Sequence, residues 1–132
     1  MTTMGQNSGT GPEAVKALVR CYFQRLLNEK DLSVCDEMLA GDYVDHDAPP
    51  DTPPGPQSVK EFVAGFLEEY PNMHVDILDI IAEGDKVAAR LVWRGNQRES
   101  GEEFHQMGII MLRLDDQGQL AERWSAYKSL RG

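Results

Sequence analysis

Asp45-His46-Asp47 sets an imidazole between two carboxylates. That grouping can move protons near neutral pH, because a flanking acid tunes the affinity of the ring. A carboxylate can hold the imidazole in one tautomer while its other nitrogen works on a substrate. We therefore take His46 as the candidate acid–base residue and Asp45 as its orienting partner. Neighbours on an extended chain point to opposite sides, so only one of the pair faces a given surface. The competing reading is that Asp45 or Asp47 caps a turn and His46 packs under the proline-rich segment that follows. His105 is a second candidate on a long apolar strand, and His74 reads as surface. No His-x-His pair occurs, so no metal site is expected. No glycine-rich phosphate loop occurs either, which leaves no nucleotide site.

Around these groups stand aromatic residues able to form walls: Tyr22, Tyr43, Phe62, Phe66, Trp93, Trp124 and Tyr127. Aromatics at helical or strand spacing serve a core, and the polar tips of Tyr and Trp also suit a ligand cavity. Glu122-Arg123-Trp124 reads as a structural acid–arginine pair beside a packing Trp. Arg90 lies mid-strand and faces either outward or inward. If it faces inward it needs a partner such as Glu122 or Asp79, since an unpaired buried charge is costly.

The elements that must position these residues follow from periodicity. Val15, Leu18, Val19, Tyr22, Phe23 and Leu26 recur at helical spacing and predict a helix over 12–28, opened by Pro12 and Glu13. Asp31 can cap a short helix over 32–39. Residues 43–46 read as a short extended segment. Residues 47–56 hold five prolines and form an irregular loop. Ser58 with Glu61 resembles a capping box and starts a third helix that runs to about Glu69. The period then changes to two. Strands are predicted over 73–80, 87–94, 103–114 and 120–127, joined by turns at Glu83-Gly84-Asp85-Lys86, 95–101 and Asp115-Asp116-Gln117-Gly118. Helices first and a meander afterwards make an α+β fold, with the helices on one face of a curved sheet. Gly108 to Leu114 is apolar on both alternating faces, which predicts a cover for the outer face, a second copy of the chain in particular.

Composition narrows the classes. The chain has 132 residues, which suits one domain over 12–132 after a polar tail over 1–11. A net charge of −9 argues against nucleic acid and against anionic membranes as partners. Cys21 and Cys35 lack metal-type spacing, and no apolar leader is visible. Both point to a reducing cytoplasm.

Beyond residue 12 the landmarks fall in a recognisable order: Ala40-Gly41-Asp42-Tyr43-Val44-Asp45-His46-Asp47, Gly55 to Phe62, Tyr70-Pro71-Asn72-Met73, Glu83 to Val87, Arg113 to Gly118, and Glu122-Arg123-Trp124. This order resembles the SnoaL-like polyketide cyclase branch of the nuclear-transport-factor-2-like superfamily. The resemblance implies a cone-shaped fold enclosing a mostly apolar pocket, dimerisation through the outer sheet face, and cofactor-free chemistry on a small apolar molecule. For the cyclases it implies an intramolecular aldol closure, in which a carboxylate on the last strand removes an activated proton. That position falls at Ser125, and the position of the pocket histidine falls at Ile110. Serine without a base partner is a poor proton acceptor. Two expectations follow. Either His46 and Asp45 carry cyclisation, isomerisation or hydrolysis of a carbonyl compound, with His105, Ile110 and Ser125 lining the site, or the chain is a non-catalytic binding or dimerisation module.

Overall fold

The computed structural model describes residues 11–130; apart from Gly11, the expected tail lies outside them. Helix α1 (Pro12–Phe23) opens with proline and Glu13 in its first turn and buries Val15, Val19, Tyr22 and Phe23. It widens into a π-helical turn over Gln24–Asn28, so the helical segment ends where its periodicity predicts. Asn28 at its end grips the sheet. Its carboxamide donates to the carbonyl of Val75 at 3.0 Å and accepts from the same residue's N–H at 2.9 Å.

Helix α2 (Val34–Met38) is shorter than expected, because the Asp31 side chain holds the turn before it by accepting the Ser33 N–H at 3.1 Å. Leu39, expected to close that helix, instead opens strand β1 (Leu39–Asp45). The buried pair Leu39 and Ala40 continues the apolar stripe of the helix, and this hid the strand start. Helix α3 (Pro56–Glu69) begins two residues ahead of Ser58, with Pro56 in its first turn. The Ser58 hydroxyl donates to the Pro53 carbonyl at 2.7 Å and caps nothing. Gly55 precedes the helix at φ 108°, and its N–H donates to the Tyr43 carbonyl at 2.8 Å. Only glycine adopts that φ readily, so Gly55 is what folds the proline loop back onto β1.

Strands β2 (His74–Glu83), β3 (Lys86–Asn96), β4 (Glu103–Leu114) and β5 (Leu120–Ser129) form the expected antiparallel meander. Gly84, at φ 59°, makes the tight β2–β3 turn. The sheet gains a fifth member, because β1 pairs with β5 in parallel and gives the order β1-β5-β4-β3-β2. Three helices thus pack on a curved, unclosed five-stranded sheet. Its inner face carries Val75, Val87, Ala89, Leu91, Trp93, Ile110 and Leu112, packed with Val19, Phe23 and Leu27 from the first helical segment. On β4, Ile110 and Leu112 are 0% and 1% exposed, whereas Ile109 and Met111 on the other face are 57% and 40% exposed. Arg90 takes the outer alternative, with Nε 2.7 Å from Asp79.

Candidate active site on the inner face of the sheet

Alternation along β5 divides its residues. Arg123 faces Leu112, Ser125 faces Ile110, and Tyr127 faces Gly108, all on the inner side. β1 adds Tyr43 and Asp45 to that side, with Asp45 in register beside Arg123. α1 adds Tyr22. The two positions that the resemblance assigns to base and histidine, Ser125 and Ile110, are therefore direct cross-strand partners.

Arg123 is the centre of this group. Its Nη2 donates to the Tyr127 hydroxyl at 2.7 Å. Its Nε is sealed from solvent and has no hydrogen-bond partner, although the residue as a whole is only half-buried. The Trp93 Nε1 is the other sealed, unpartnered side-chain donor among the described residues. The Trp93 ring meets Tyr127 edge-on at 6.1 Å, so both orphan donors flank the same phenol. Buried donors almost always find partners, so two at one spot mark a place where an acceptor belongs.

The local electrostatics follow from burial. Burial pushes the Tyr22, Tyr43 and Tyr127 phenols above their ordinary range; the Asp45 charge adds to this and Arg123 opposes it. At neutral pH these phenols are uncharged donors. Burial works against the charge of Arg123, yet the facing phenol oxygens and Asp45 outweigh it, and the guanidinium is held above its usual range. Burial also drives the Cys35 thiol, beside Tyr22, up to about 11.

Tyr127 can lie where it does because residue 108 is glycine. A Cβ there would sit 2.0 Å from Tyr127 Cδ1 and 2.5 Å from the Ala126 carbonyl oxygen. The ring covers the glycine and brings its hydroxyl to Arg123. Asp45 uses one oxygen, Oδ1, to accept the Asp47 N–H at 2.9 Å. Asp47 in turn accepts the Ser125 N–H at 2.6 Å and so continues the edge of β5 beyond the end of β1.

The outer face holds a second cluster. His46 Nε2 lies 2.9 Å from Glu122 Oε2, and its ring stacks on Trp124 at 4.8 Å and 10°. The other oxygen of Glu122 bonds to Arg113. Those two contacts, Arg113 first, hold the Glu122 carboxyl below the usual range. Asp45 and His46 thus point to opposite sides of the sheet, and Glu122, not Asp45, orients the imidazole. Trp124, expected as an inner wall, belongs to the outer cluster. Alternation along β4 puts His105 on the outer side as well, with Met107 and Ile109. It borders a rim recess of about 170 Å³ that Tyr70, Phe104 and Gln106 also line.

Tyr22, Tyr43, Phe66, Trp93, Ile110, Ser125 and Tyr127 meet around the inner group. Phe62 stands off, 67% exposed, but stacks on Phe66 at 6.0 Å. Phe66 meets Trp93 at 6.0 Å, so ring contacts run unbroken from the surface at Phe62 to Tyr127. Arg123 itself was read as half of a structural pair. Its parity with Ser125 and Tyr127 was the available signal, because three residues two apart on one strand share a face. Among the described residues no cluster of three or more His, Cys, Asp or Glu is arranged to hold a metal, and no helix is long and apolar enough to cross a membrane.

A family profile for SnoaL-like polyketide cyclases matches residues 16–131. The chain belongs to the SnoaL-like polyketide cyclase family. No curated protein matches its sequence significantly. Among solved structures, this SnoaL-like chain is similar to IdmH of Streptomyces antibioticus, provisionally named a polyketide cyclase. The two are 24% identical over 86% of this chain and 91% of that one, with a TM-score of 0.74. It is also similar to a provisionally named polyketide cyclase of Bacillus cereus, 24% identical over 84% of this chain and 72% of that one, with a TM-score of 0.72. AclR of Streptomyces galilaeus, provisionally named a hydroxylase, is 21% identical over 88% of this chain and 90% of that one, with a TM-score of 0.73. At these identities the likeness establishes the fold, and two differently named activities share it.

Proposed function

We propose that this SnoaL-like chain acts, without a cofactor, on an apolar carbonyl compound of polyketide type by acid–base chemistry at the inner face of its sheet. One observation carries the reading: two sealed donors, Arg123 Nε and Trp93 Nε1, flank Tyr127 while the Asp45 carboxylate stands beside Arg123 on the neighbouring strand. A carbonyl oxygen at that point satisfies both donors. Asp45 takes a proton from the carbon next to the carbonyl, and the electron pair of the C–H bond moves onto the oxygen as an enolate. Arg123, Trp93 and Tyr127 hold that charge. In ring closure the enolate carbon bonds to a second carbonyl carbon of the same molecule, whose oxygen takes the proton back from Asp45. In isomerisation the proton returns to a different carbon. Hydrolysis uses the same carboxylate to deprotonate a water. The base role passes from His46 to Asp45 in this reading, because His46 lies on the outer face, engaged with Glu122 and Trp124.

A second reading is favoured by Ser125, a poor proton acceptor at the position the resemblance assigns to the base, and by the Asp47 N–H that occupies Asp45 Oδ1. On that reading the inner face binds a small apolar ligand without turning it over. The outer stripe of Ile81, Ala88, Met111 and Trp124, aligned across four strands, suits a second copy of the chain in a cytoplasmic homodimer. Sedimentation of Met111→Asp against the parent tests that assembly.

The test of chemistry is deuterium uptake at the activated carbon of 2-tetralone in heavy water, followed by NMR. The parent chain accelerates uptake, and Asp45→Asn lowers that acceleration by roughly 10²- to 10⁴-fold. His46→Ala leaves it intact. Uptake at the buffer rate with the parent chain leaves the binding reading. Loss of uptake in His46→Ala with Asp45→Asn unaffected returns the base to His46.

A further inference from the structure

We infer that the inner site selects an anion: a flat apolar ligand carrying one carboxylate, or an equally acidic oxygen, seated on Arg123. The inference rests on the reading that a small molecule enters beside Tyr127, and it adds the charge of that molecule.

Lys16, Arg25, Lys60, Lys86, Arg90 and Arg113 each have a carboxylate within 4 Å, and the other described cations without one, Arg20, Lys30, Arg94, Arg98 and Lys128, are exposed to water. Arg123, on the inner face, forms no such pair among the described residues, although the chain holds 22 acidic residues against 13 basic ones. Acidic side chains were abundant, yet none pairs with the cation that most needs one. Asp45 is beside it in register and still outside ion-pair distance. The guanidinium touches only neutral phenols, those of Tyr127 and Tyr43, with the Asp45 charge nearby but out of contact, so an anion seated on its free Nε would complete it.

The surroundings fit an incoming anion and reject a cation. Tyr127 donates or accepts through one hydroxyl, which already accepts from Arg123 and so has its own proton to give. Trp93 Nε1 can only donate; it is turned toward the Tyr127 hydroxyl but makes no full hydrogen bond with it. Arg123 Nε can only donate, and it is unused. Donors and a fixed positive charge gathered beside Tyr127 match an anionic oxygen, that of a carboxylate or of an acidic enol, better than the neutral oxygen of a ketone. The apolar body of the ligand then lies along Trp93 and Phe66, whose rings meet at 6.0 Å. The chain's net charge of −9 repels anions at long range, so any preference for one must come from this local group.

The experiment compares 2-naphthoate with 2-naphthamide, which share a ring system and differ in charge. Trp93 and Trp124 are the only tryptophans. In a Trp124→Phe background Trp93 alone reports binding through quenching of its fluorescence. We expect naphthoate to bind at least about tenfold more tightly than naphthamide, as a charge-assisted contact implies. In Arg123→Met the two affinities become equal through loss of naphthoate binding, while Arg123→Lys keeps part of the preference. Equal affinities in the background chain overturn the anion inference and leave standing the reading that a small molecule binds at the inner face. A preference for naphthoate that persists in Arg123→Met also overturns it. Absence of quenching by either probe overturns both. If Arg123→Met fails to fold, the ratio in the background chain and in Arg123→Lys still decides.

Discussion

The two faces of β5 carry ionisable groups in equal density and treat them in opposite ways. Outside, Glu122 is bound by Arg113 and by His46, and the imidazole rests on Trp124. Glu122 and His46 there are partnered, and the exposed Lys128 faces solvent. Inside, Arg123 and Trp93 each keep a donor unpaired in a place water does not reach. Exposed ion pairs are inexpensive to make and contribute little, whereas unpaired inner groups are costly and persist where they are used. Chemistry is thus expected at the cluster that looks incomplete, and the well-made outer cluster is a surface feature.

The largest effect is expected from breaking the inner geometry without touching a charge. Gly108→Val drives a Cβ into Tyr127 and into the Ala126 carbonyl oxygen, and should cost about 2 kcal/mol or more in urea denaturation. It should also separate Tyr127 from Arg123 and abolish naphthoate preference. A variant of parental stability would mean that the ring has room to move and is no fixed partner of Arg123.

An intermediate effect is expected from alkali. The Cys35 thiol and the three inner phenols have folded values raised by burial, so each favours its neutral form in the native state. Their contribution is complete below the ordinary unfolded values and is lost as pH rises through the folded ones. For Cys35 that window runs from its ordinary value near 9 to about 11. The unfolding free energy from urea denaturation should therefore fall between about pH 9 and 11, by on the order of 2 kcal/mol from the thiol alone. Phenol absorbance should show those three tyrosines ionising only above about pH 10. Ordinary titration of all tyrosines in the native chain would remove the distinction between the two faces.

The smallest effects belong to the outer cluster. His46→Ala and Glu122→Gln should each leave stability nearly unchanged at neutral pH, because exposed ion pairs contribute little. Glu122 has a depressed folded value, so its contribution is present above the ordinary carboxylate range and lost as pH falls through the folded value. A mild loss of stability in acid that disappears in Glu122→Gln would sharpen the contrast. A loss of naphthoate binding in His46→Ala would break it.

The meander, its turns and the inward parity of Tyr127 and Ser125 were legible because strand alternation is a local property of sequence. Of strand β1 only the end was legible, as the extended segment 43–46, since its pairing with β5 joins residues some eighty positions apart and its start carries the apolar stripe of the preceding helix. The division of Asp45 from His46 was legible as a rule, but the side each takes depends on that same distant pairing. Trp124 was misplaced because an aromatic residue reads as core unless the face is known. Arg123 was overlooked for the converse reason: an arginine beside a glutamate reads as a surface pair, and only the strand's parity says otherwise.

The grip of Asn28 on Val75 has a consequence beyond anchoring the first helical segment. β2 is one border of the sheet, and a border strand offers unpaired backbone groups to any other strand it meets. At Val75 the carboxamide of Asn28 fills both the donor and the acceptor place that a foreign strand needs. Gly55 does the corresponding service for the Tyr43 carbonyl on the opposite border. One residue at each border of the open sheet thus occupies backbone groups that an added strand would need, and hinders growth at those points.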